Sequence, residues 1–412
     1  MIERYFVPVL IGFAPVLLAL AGWTYASPGP ILTQILSGYS VPIIGMEIVV
    51  IIIALREGLI RSARHWMARP IIWLPLAALV AIGFGTALFA APNRMMALIL
   101  TSYWMVHLCF AGSVALLCGR EFEGRDLQSA YLWGFLALLG LITIFALGVP
   151  DPAEFNWTNG FPGFGHIRHM GYLAAAIGGL AIGRYTLASS SRQSWTNLVV
   201  LFLAILFVLW CGTRGAAAAM VGGLIVGLIL LPAFRKWRTI GGFLLAAGLA
   251  VGVASTLPAP APNMGLTRTV VATTGPASGD LTTGRVEIWR NVFAEVRKRP
   301  LFGYGAGQMS YVSPYGSIDQ PHNALMQFLL AWGFVGTALI AALGLLYALP
   351  AWRTVLSAPN ELTAPFLAML NLAAYAAFDG TLFHPISLSI LAGCAGMIAS
   401  HWVRADNGSQ TA

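Results

Sequence analysis

The sequence predicts an all-α integral membrane protein of about twelve transmembrane helices, interrupted by one long polar loop that carries an amphipathic helix. Three observations predict it. Hydrophobic residues make up 58% of the 412 and charged residues only 9%, whereas a soluble chain of this length is about 25% charged. Apolar runs close to the ~20 residues that cross a hydrocarbon core recur along the chain. Between them, basic residues are dense in one alternate set of connections and sparse in the other. The chain reads as a single polytopic domain, 1–412, with no separate soluble unit.

The runs fall at 6–26, 36–55, 71–91, 95–118, 128–149, 170–188, 197–212, 215–234, 239–258, 322–349, 362–378 and 383–403. The first spans and has no convincing cleavage site, so it reads as a retained helix. The shortest, 197–212, is joined to the next by a tight turn. With the N-terminus in the cytoplasm, the inside connections hold Arg4, Arg56, Arg61, Arg64, Arg69, Arg120, Arg125, Arg192, Arg235, Lys236, Arg238, Arg353 and Arg404. The short outside connections hold only Arg94, Arg168 and Arg214. Twelve spans then place both termini inside and the 259–321 segment outside. The net charge of +8 therefore reflects topology and attraction to anionic lipid rather than a nucleic-acid footprint. Cys109, Cys118, Cys211 and Cys394 lie in apolar runs without CxxC spacing and read as buried small hydrophobes. Trp157, Trp289 and Trp332 suit an interfacial aromatic belt. Glu47, near the middle of the second run, is the clearest interior charge.

The longest polar interval runs from Thr282 to Gly333. Wound as a helix, 286–299 puts Val286, Ile288, Trp289, Val292, Phe293 and Val296 on one face, and Glu287, Arg290, Glu295 and Lys298 on the other. Arg285, one residue earlier, lands near the middle of the apolar face. The helix stops at Pro300, and Gly303, Gly305 and Gly307 follow with the spacing of a close-approach loop. His322 and Asn323 then open a new apolar run. Other unusual polar residues fall on the same outside face. Arg214 sits in the short turn 211–216, and His166, Arg168 and His169 follow the 151–165 loop. Asp379 and His384 lie in the last outside turn.

An ionisable group at this depth is costly, so a role is the default reading. The structural alternatives are specific. Arg214 could anchor at the interface, Arg285 could pair with Glu287 or Glu295, and His322 could cap a helix. For His166, His169 and His384 the structural reading is favoured, and Arg297, Lys298 and Arg299 read as a solvated or lipid-facing cluster. The 303–307 glycine run is weak as a nucleotide site, because no strand precedes it and no Walker lysine accompanies it.

Guanidinium groups recognise phosphate oxygens bidentately, and a histidine near neutral pKa can take the proton of an attacking hydroxyl. Together they point to transfer from a lipid-phosphate leaving group to an acceptor alcohol. Asp151, Glu154, Asp280, Asp319 and Asp379 are scattered, so no carboxylate metal site is indicated, and the arginines would neutralise the departing group. Arg168, His169, Asn323 and Gly305 complete the candidate substrate-binding set.

Gly284-Arg285-Val286-Glu287-Ile288-Trp289, Arg299-Pro300-Leu301-Phe302-Gly303-Tyr304-Gly305, His322-Asn323-Ala324-Leu325 and Trp332-Gly333-Phe334-Val335-Gly336, in that order, resemble the signature of the bacterial O-antigen ligase and polymerase superfamily. Thr213-Arg214-Gly215-Ala216 is similar to its earlier arginine turn. The motifs cover roughly 200–340. The resemblance implies an inverting, metal-independent glycosyltransferase of the C type, without cofactor. It would work at the periplasmic face of the bacterial inner membrane on undecaprenyl-diphosphate-linked glycan. It further implies that Arg214 and Arg285 bind the diphosphate and that His322 is the base or orients the acceptor. Of the superfamily's activities, the moderate loop and short termini favour the ligase, with lipid A-core as acceptor. O-antigen polymerase and protein O-oligosaccharyltransferase are the alternatives. A lipid or polysaccharide transporter is the alternative of another class, disfavoured by the few interior charges and the lack of an internal repeat.

Overall fold

The computed structural model describes residues 2–24, 41–67, 70–151, 154–157, 164, 166–260, 264–266, 284–313, 320–357 and 359–408. Within them the chain is almost entirely helical. The helices are α1 (Ile2–Gly12), α2 (Ala14–Thr24), α3 (Val41–Arg56), α4 (Leu59–Met67), α5 (Pro70–Phe89), α6 (Arg94–Leu117), α7 (Gly124–Gly148) and α8 (Met170–Thr186). They continue with α9 (Ser191–Trp210), α10 (Arg214–Leu230), α11 (Trp237–Thr256), α12 (Arg285–Lys298), α13 (Ala324–Ser357), α14 (Pro359–Ala376) and α15 (Pro385–Gly408).

The chain is a multi-pass membrane protein. Seven of these helices are long and apolar enough to cross a membrane, or eight when α1 and α2, bent by 49° at their junction, count as one span. The bend lies where Pro15 enters α2, because its ring cannot continue the preceding hydrogen-bond ladder. Every expected run contains helix, but α3, α8, α10 and α14 have 16, 17, 17 and 18 residues. Those lengths sit below the ~20 residues of a simple span. Residues 261–263, 267–283 and 314–319, with Asp280 and Asp319, lie outside the described residues.

Helix α8 is the hub. Nearly all its residues are buried, and it packs against α9, α10 and α14. Its composition explains this: a Cβ at Gly179 would sit 2.8 Å from the backbone nitrogen of Ala368, and one at Gly183 2.5 Å from the Ala364 Cα. Small residues let two helix backbones touch where lipid gives no hydrophobic drive to association. A side chain at either position would push α14 away, and the end of α14 carries the site.

Two aromatic expectations fail. Trp157 and Trp332 are buried, Trp157 edge-on to Phe155 and Trp210 and Trp332 edge-on to Trp104. Trp289 donates to the Pro321 carbonyl at 2.8 Å. Exposed tryptophans are instead Trp73, Trp133, Trp195 and Trp237, since belt positions depend on which helix face meets lipid. Cys109 is likewise exposed, while the other three cysteines are buried.

The polar groups sort to two ends of the bundle. At one, Arg4 pairs with Asp126 at 3.0 Å, Gln128 donates to the Glu361 carbonyl at 2.8 Å, and His401 meets Glu361 at 3.0 Å. These belong to the connections expected inside. The groups expected outside meet at the other end. Between them lies Glu47, fully buried on α3, with His107 Nδ1 of α6 at 2.9 and 2.8 Å from its two carboxylate oxygens.

Removing one member of a buried hydrogen-bonded pair leaves the other unsatisfied, at about 1–3 kcal/mol and more if it is charged, whereas replacing both with apolar residues can be nearly neutral. Glu47→Leu alone should therefore lower thermal stability in detergent sharply, and Glu47→Leu with His107→Leu should recover most of it. Equal losses in the single and double variants would show that the pair is not what joins α3 to α6.

Candidate functional site

The site forms where four connections meet beyond the end of α14. The turn from Ala377 to His384 joins α14 to α15 and carries Asp379, which is buried. One carboxylate oxygen, Oδ1, accepts from His322 Nδ1 at 2.7 Å and from the Gly380 amide at 2.8 Å. The other, Oδ2, lies 3.4 Å from Arg285 Nη2. Arg285 Nη1 donates to the Phe378 carbonyl in the same turn. Burial alone would raise the Asp379 carboxyl, but the His322 hydrogen bond, the Arg285 guanidinium and the Gly380 amide outweigh it. They hold the carboxyl well below the usual carboxylate range. A carboxylate only accepts, so His322 Nδ1 carries the proton of this hydrogen bond, and Nε2 is the ring nitrogen left for other contacts.

Local sequence explains how each partner arrives. Gly284, at φ 81°, starts α12 in the left-handed region, and Arg285 follows at its first turn. The apolar face of α12 seats Val292 and Val296 against Tyr304, Met309, Leu329 and Leu330. Val286 is exposed, being at the margin of that face. Arg285 bonds neither Glu287 nor Glu295 as its ion-pair partner; Glu295 takes Lys298 at 2.8 Å. Trp289 fixes Pro321, and His322 follows at φ 52°, the one non-glycine residue with positive φ among the described residues. Such backbone costs about 1–3 kcal/mol and clusters at functional sites. Asn323, not His322, caps α13: its Oδ1 accepts from the Met326 amide at 3.0 Å while Nδ2 donates to the Ala377 carbonyl at 2.9 Å. It thereby ties the start of α13 to the turn that holds Asp379.

Arg214 comes to the same end of α14. It is the first residue of α10, half-buried, with no hydrogen bond or ion pair to a described side chain. The next residue, Gly215, packs so closely on Tyr375 that a Cβ would lie 2.6 Å from the ring. The positive end of a 17-residue helix and an arginine coincide there, which favours an anion. The third wall is histidine and tyrosine. His169 lies 4.0 Å from His384 by ring centroids, and Tyr172 lies 5.1 Å from His384 and 4.9 Å from Tyr375. Burial pushes His169 down to about 4 and His384 well below its ordinary value, so both are neutral at pH 7. Gln320 Nε2 donates to His384 Nε2 at 3.3 Å.

Two expected members stand apart. Gly305 is buried, its amide donates to the Ala331 carbonyl at 2.8 Å, and a Cβ there would meet Ala91 and Ala97. It therefore serves packing, and its amide is not open to a substrate. Arg168 lies in the 3-10 turn 167–169, but its side chain is outside the described ones. Arg299 stacks on Tyr304 and bonds the Ala90 carbonyl at 2.6 Å, so it is tethered rather than solvated. Of the residues that meet here, Asp379 is the least visible in sequence. Its signal was a carboxylate in a short outside turn next to a histidine, but nothing there names Arg285 and His322 as partners.

A family model described as O-Antigen ligase matches residues 199–341, from within α9 to within α13. The matched region includes Arg214, Arg285 and His322 and leaves out Asp379, Tyr375 and His384. No curated protein matches the chain.

Asp379→Asn tests the geometry. An asparagine at this position can present its NH₂ as well as its carbonyl, so it no longer enforces the Nδ1–H tautomer of His322. Nitrogen-15 NMR of labelled histidine should show a single His322 tautomer in the parent and a mixture in the variant. If His322 is the base at this site, turnover should fall by about 10⁴, the loss seen when the carboxylate that orients a catalytic histidine becomes an amide. An unchanged tautomer together with full turnover would remove Asp379 from the site.

Proposed function

We propose, on the O-antigen ligase superfamily membership that the match over 199–341 supports, that this chain is a glycosyltransferase acting on lipid-linked glycan. The donor is undecaprenyl diphosphate glycan and the acceptor is a hydroxyl of lipid A-core, which makes the protein an O-antigen ligase. The observation that carries the reading is the meeting of Arg285 and His322 on one buried carboxylate, beside an arginine with no described partner.

In the proposed reaction the acceptor oxygen attacks the anomeric carbon as the bond from that carbon to the diphosphate oxygen breaks. His322 Nε2 takes the hydroxyl proton, and Asp379 stabilises the imidazolium that forms. Undecaprenyl diphosphate leaves with the electron pair. Arg214, with the start of α10, and the remaining donors of Arg285 meet its negative charge. One displacement inverts the configuration. Asp379 already balances Arg285, so Arg214 brings the surplus positive charge that a diphosphate needs. His169, and Arg168 next to it in sequence, border the acceptor side.

The reading includes a C-type glycosyltransferase architecture of twelve spans across the bacterial inner membrane, both termini cytoplasmic. The 259–321 loop and the site then face the periplasm. The positive-inside bias and the sorting of polar groups to two ends support that orientation. The two arginines support metal-independent transfer, because they supply the charge that a cation supplies elsewhere.

Reconstitution with lipid-linked glycan and lipid A-core, in excess EDTA, should give transfer at the rate seen without chelator. Loss in EDTA, restored by magnesium or manganese, would overturn the metal-independent mechanism. Transfer to glycan or to serine, and not to lipid A-core, would replace the ligase with the polymerase or the protein O-oligosaccharyltransferase.

In the same assay Arg285→Lys keeps the charge but loses the planar fork. It should insert normally and lose about a hundred- to a thousandfold in rate, the worth of one aimed donor at developing charge. Arg290→Lys, exposed on the opposite face of α12, should be nearly silent. Equal effects at the two positions would refute the assignment of Arg285.

A further inference from the structure

The far end of α8 borders a second recess that the proposed transfer does not use. Arg184 is 12 residues along α8 from Tyr172, about 18 Å at the 1.5 Å rise of a helix. Between α7, the end of α8 and the start of α9 lies an open cavity of about 260 Å³. Its polar side is formed by Arg184, Arg192, Gln193 and Asn197, with serine and threonine hydroxyls beside them, and no carboxylate among the described residues lines it.

The unfilled groups have one character. Asn197 is 1% exposed, and its Nδ2 has no hydrogen-bond partner among the described residues. The same holds for Arg184 Nε, although Arg184 Nη1 donates to the Arg125 carbonyl at 3.3 Å. Both are donors, and an unmet buried donor costs about 1–3 kcal/mol. The natural complement is therefore an acceptor with several oxygens. Arg192 adds a second guanidinium at the rim. The α9 helix begins here, capped by Ser190, whose hydroxyl accepts from the Gln193 amide at 3.3 Å. Its positive end favours an anion in the same place.

The remaining wall is hydrocarbon. Leu132, Trp133 and Leu136 of α7 and Val200 of α9 complete the cavity, and Trp133 is 58% exposed on the outer surface of α7. The recess therefore opens sideways onto an apolar helix face rather than into a sealed core. Its volume falls slightly below the ~300–1,000 Å³ of pockets for drug-sized ligands. It takes a headgroup, with acyl chains running outside it along α7. A free phosphate would use the donors and leave that apolar wall unused.

We propose that this recess binds the phosphate of an anionic phospholipid from the leaflet opposite the Arg285–His322 site. Asn197 and Arg184 meet the phosphate oxygens from below, Arg192 covers them, and one acyl chain lies against Leu132, Trp133 and Leu136. Such a lipid would join α7 to α9 across the end of α8, the helix whose other end forms the site. The proposal does not rest on the glycosyltransferase reading.

The test is native mass spectrometry of the full chain in detergent, titrated with phosphatidylglycerol, with phosphatidylcholine or with inorganic phosphate. The parent should retain one phosphatidylglycerol that Arg192→Gln and Asn197→Leu bind about tenfold more weakly, the loss expected for one charge-assisted hydrogen bond. Arg353→Gln, an exposed arginine outside the recess, should bind like the parent, and phosphatidylcholine should be retained less at this site. Arg192 is exposed, so its variant keeps the fold and guards against a misfolded Asn197→Leu. Equal retention by the parent and both variants would overturn the proposal. So would no retention by the parent, which leaves water in the recess. Thermal stabilisation by inorganic phosphate equal to that by phosphatidylglycerol would make it a free-phosphate site and overturn the lipid.

Discussion

The buried carboxylate of Asp379 is the constraint on which the site depends. It lies in an eight-residue turn between two helices packed in the protein interior, where an ionised group without partners would be strongly disfavoured. Arg285, His322 and the Gly380 amide satisfy it together. Each comes from a different stretch of chain, so neutralising one charge also fixes the start of α12, the approach to α13 and the α14–α15 turn. The same contacts set the histidine tautomer. The stability of three chain segments and the state of the histidine are coupled here through one group.

Below that carboxylate, backbone bonding between two irregular segments carries the loop. Helix α13 is interrupted at Gly333, at φ 63° and ψ −167°. The Pro300–Gly305 segment lies against the break. Tyr304 and Gly305 donate to the Leu330 and Ala331 carbonyls, while Phe334 and Val335 donate back to Pro300 and Leu301, at 2.7 to 3.1 Å. Irregular backbone is tolerated at such depth only when its groups are met by protein, and here each segment meets the other. A side chain at Gly303 would come within 2.5 Å of the Leu330 carbonyl. The glycine loop thus clamps α12 to α13, and that clamp keeps Arg285 aimed at the α14 end.

The two ends of the bundle treat charge differently. At the site end, among the described residues, Arg285 and His322 share the one carboxylate of Asp379, and Arg214 pairs with none of the described carboxylates. At the other end, arginines meet Asp126, Glu123 and backbone carbonyls, and His401 meets Glu361, in a partly solvated network. Individual pairs of that exposed kind contribute little to stability, about 0–1 kcal/mol. Their value is in sidedness. The recess at Arg184 differs from its surroundings, because two of its buried donors, Arg184 Nε and Asn197 Nδ2, have no partner among the described residues.

By itself, the sequence determined the helical membrane class, the places of the helices and the amphipathic α12, and it singled out Arg285, His322 and Arg214. Each of these follows from local periodicity, composition or a charge at a depth where charge is expensive. Tertiary structure alone decided what those residues touch. The partnership of Asp379 with residues 57 and 94 positions away has no local signature, nor has the pairing of Glu47 with His107. The glycine run read as a possible approach to a ligand, and only the break in α13 gave its amides a different partner. Trp157 and Trp332 were misplaced for the same reason, since sequence gives a residue's place along a helix but not which neighbour covers that face. Long-range neighbours are set by which helix backbones can touch. In this chain the glycines of α8 decide that.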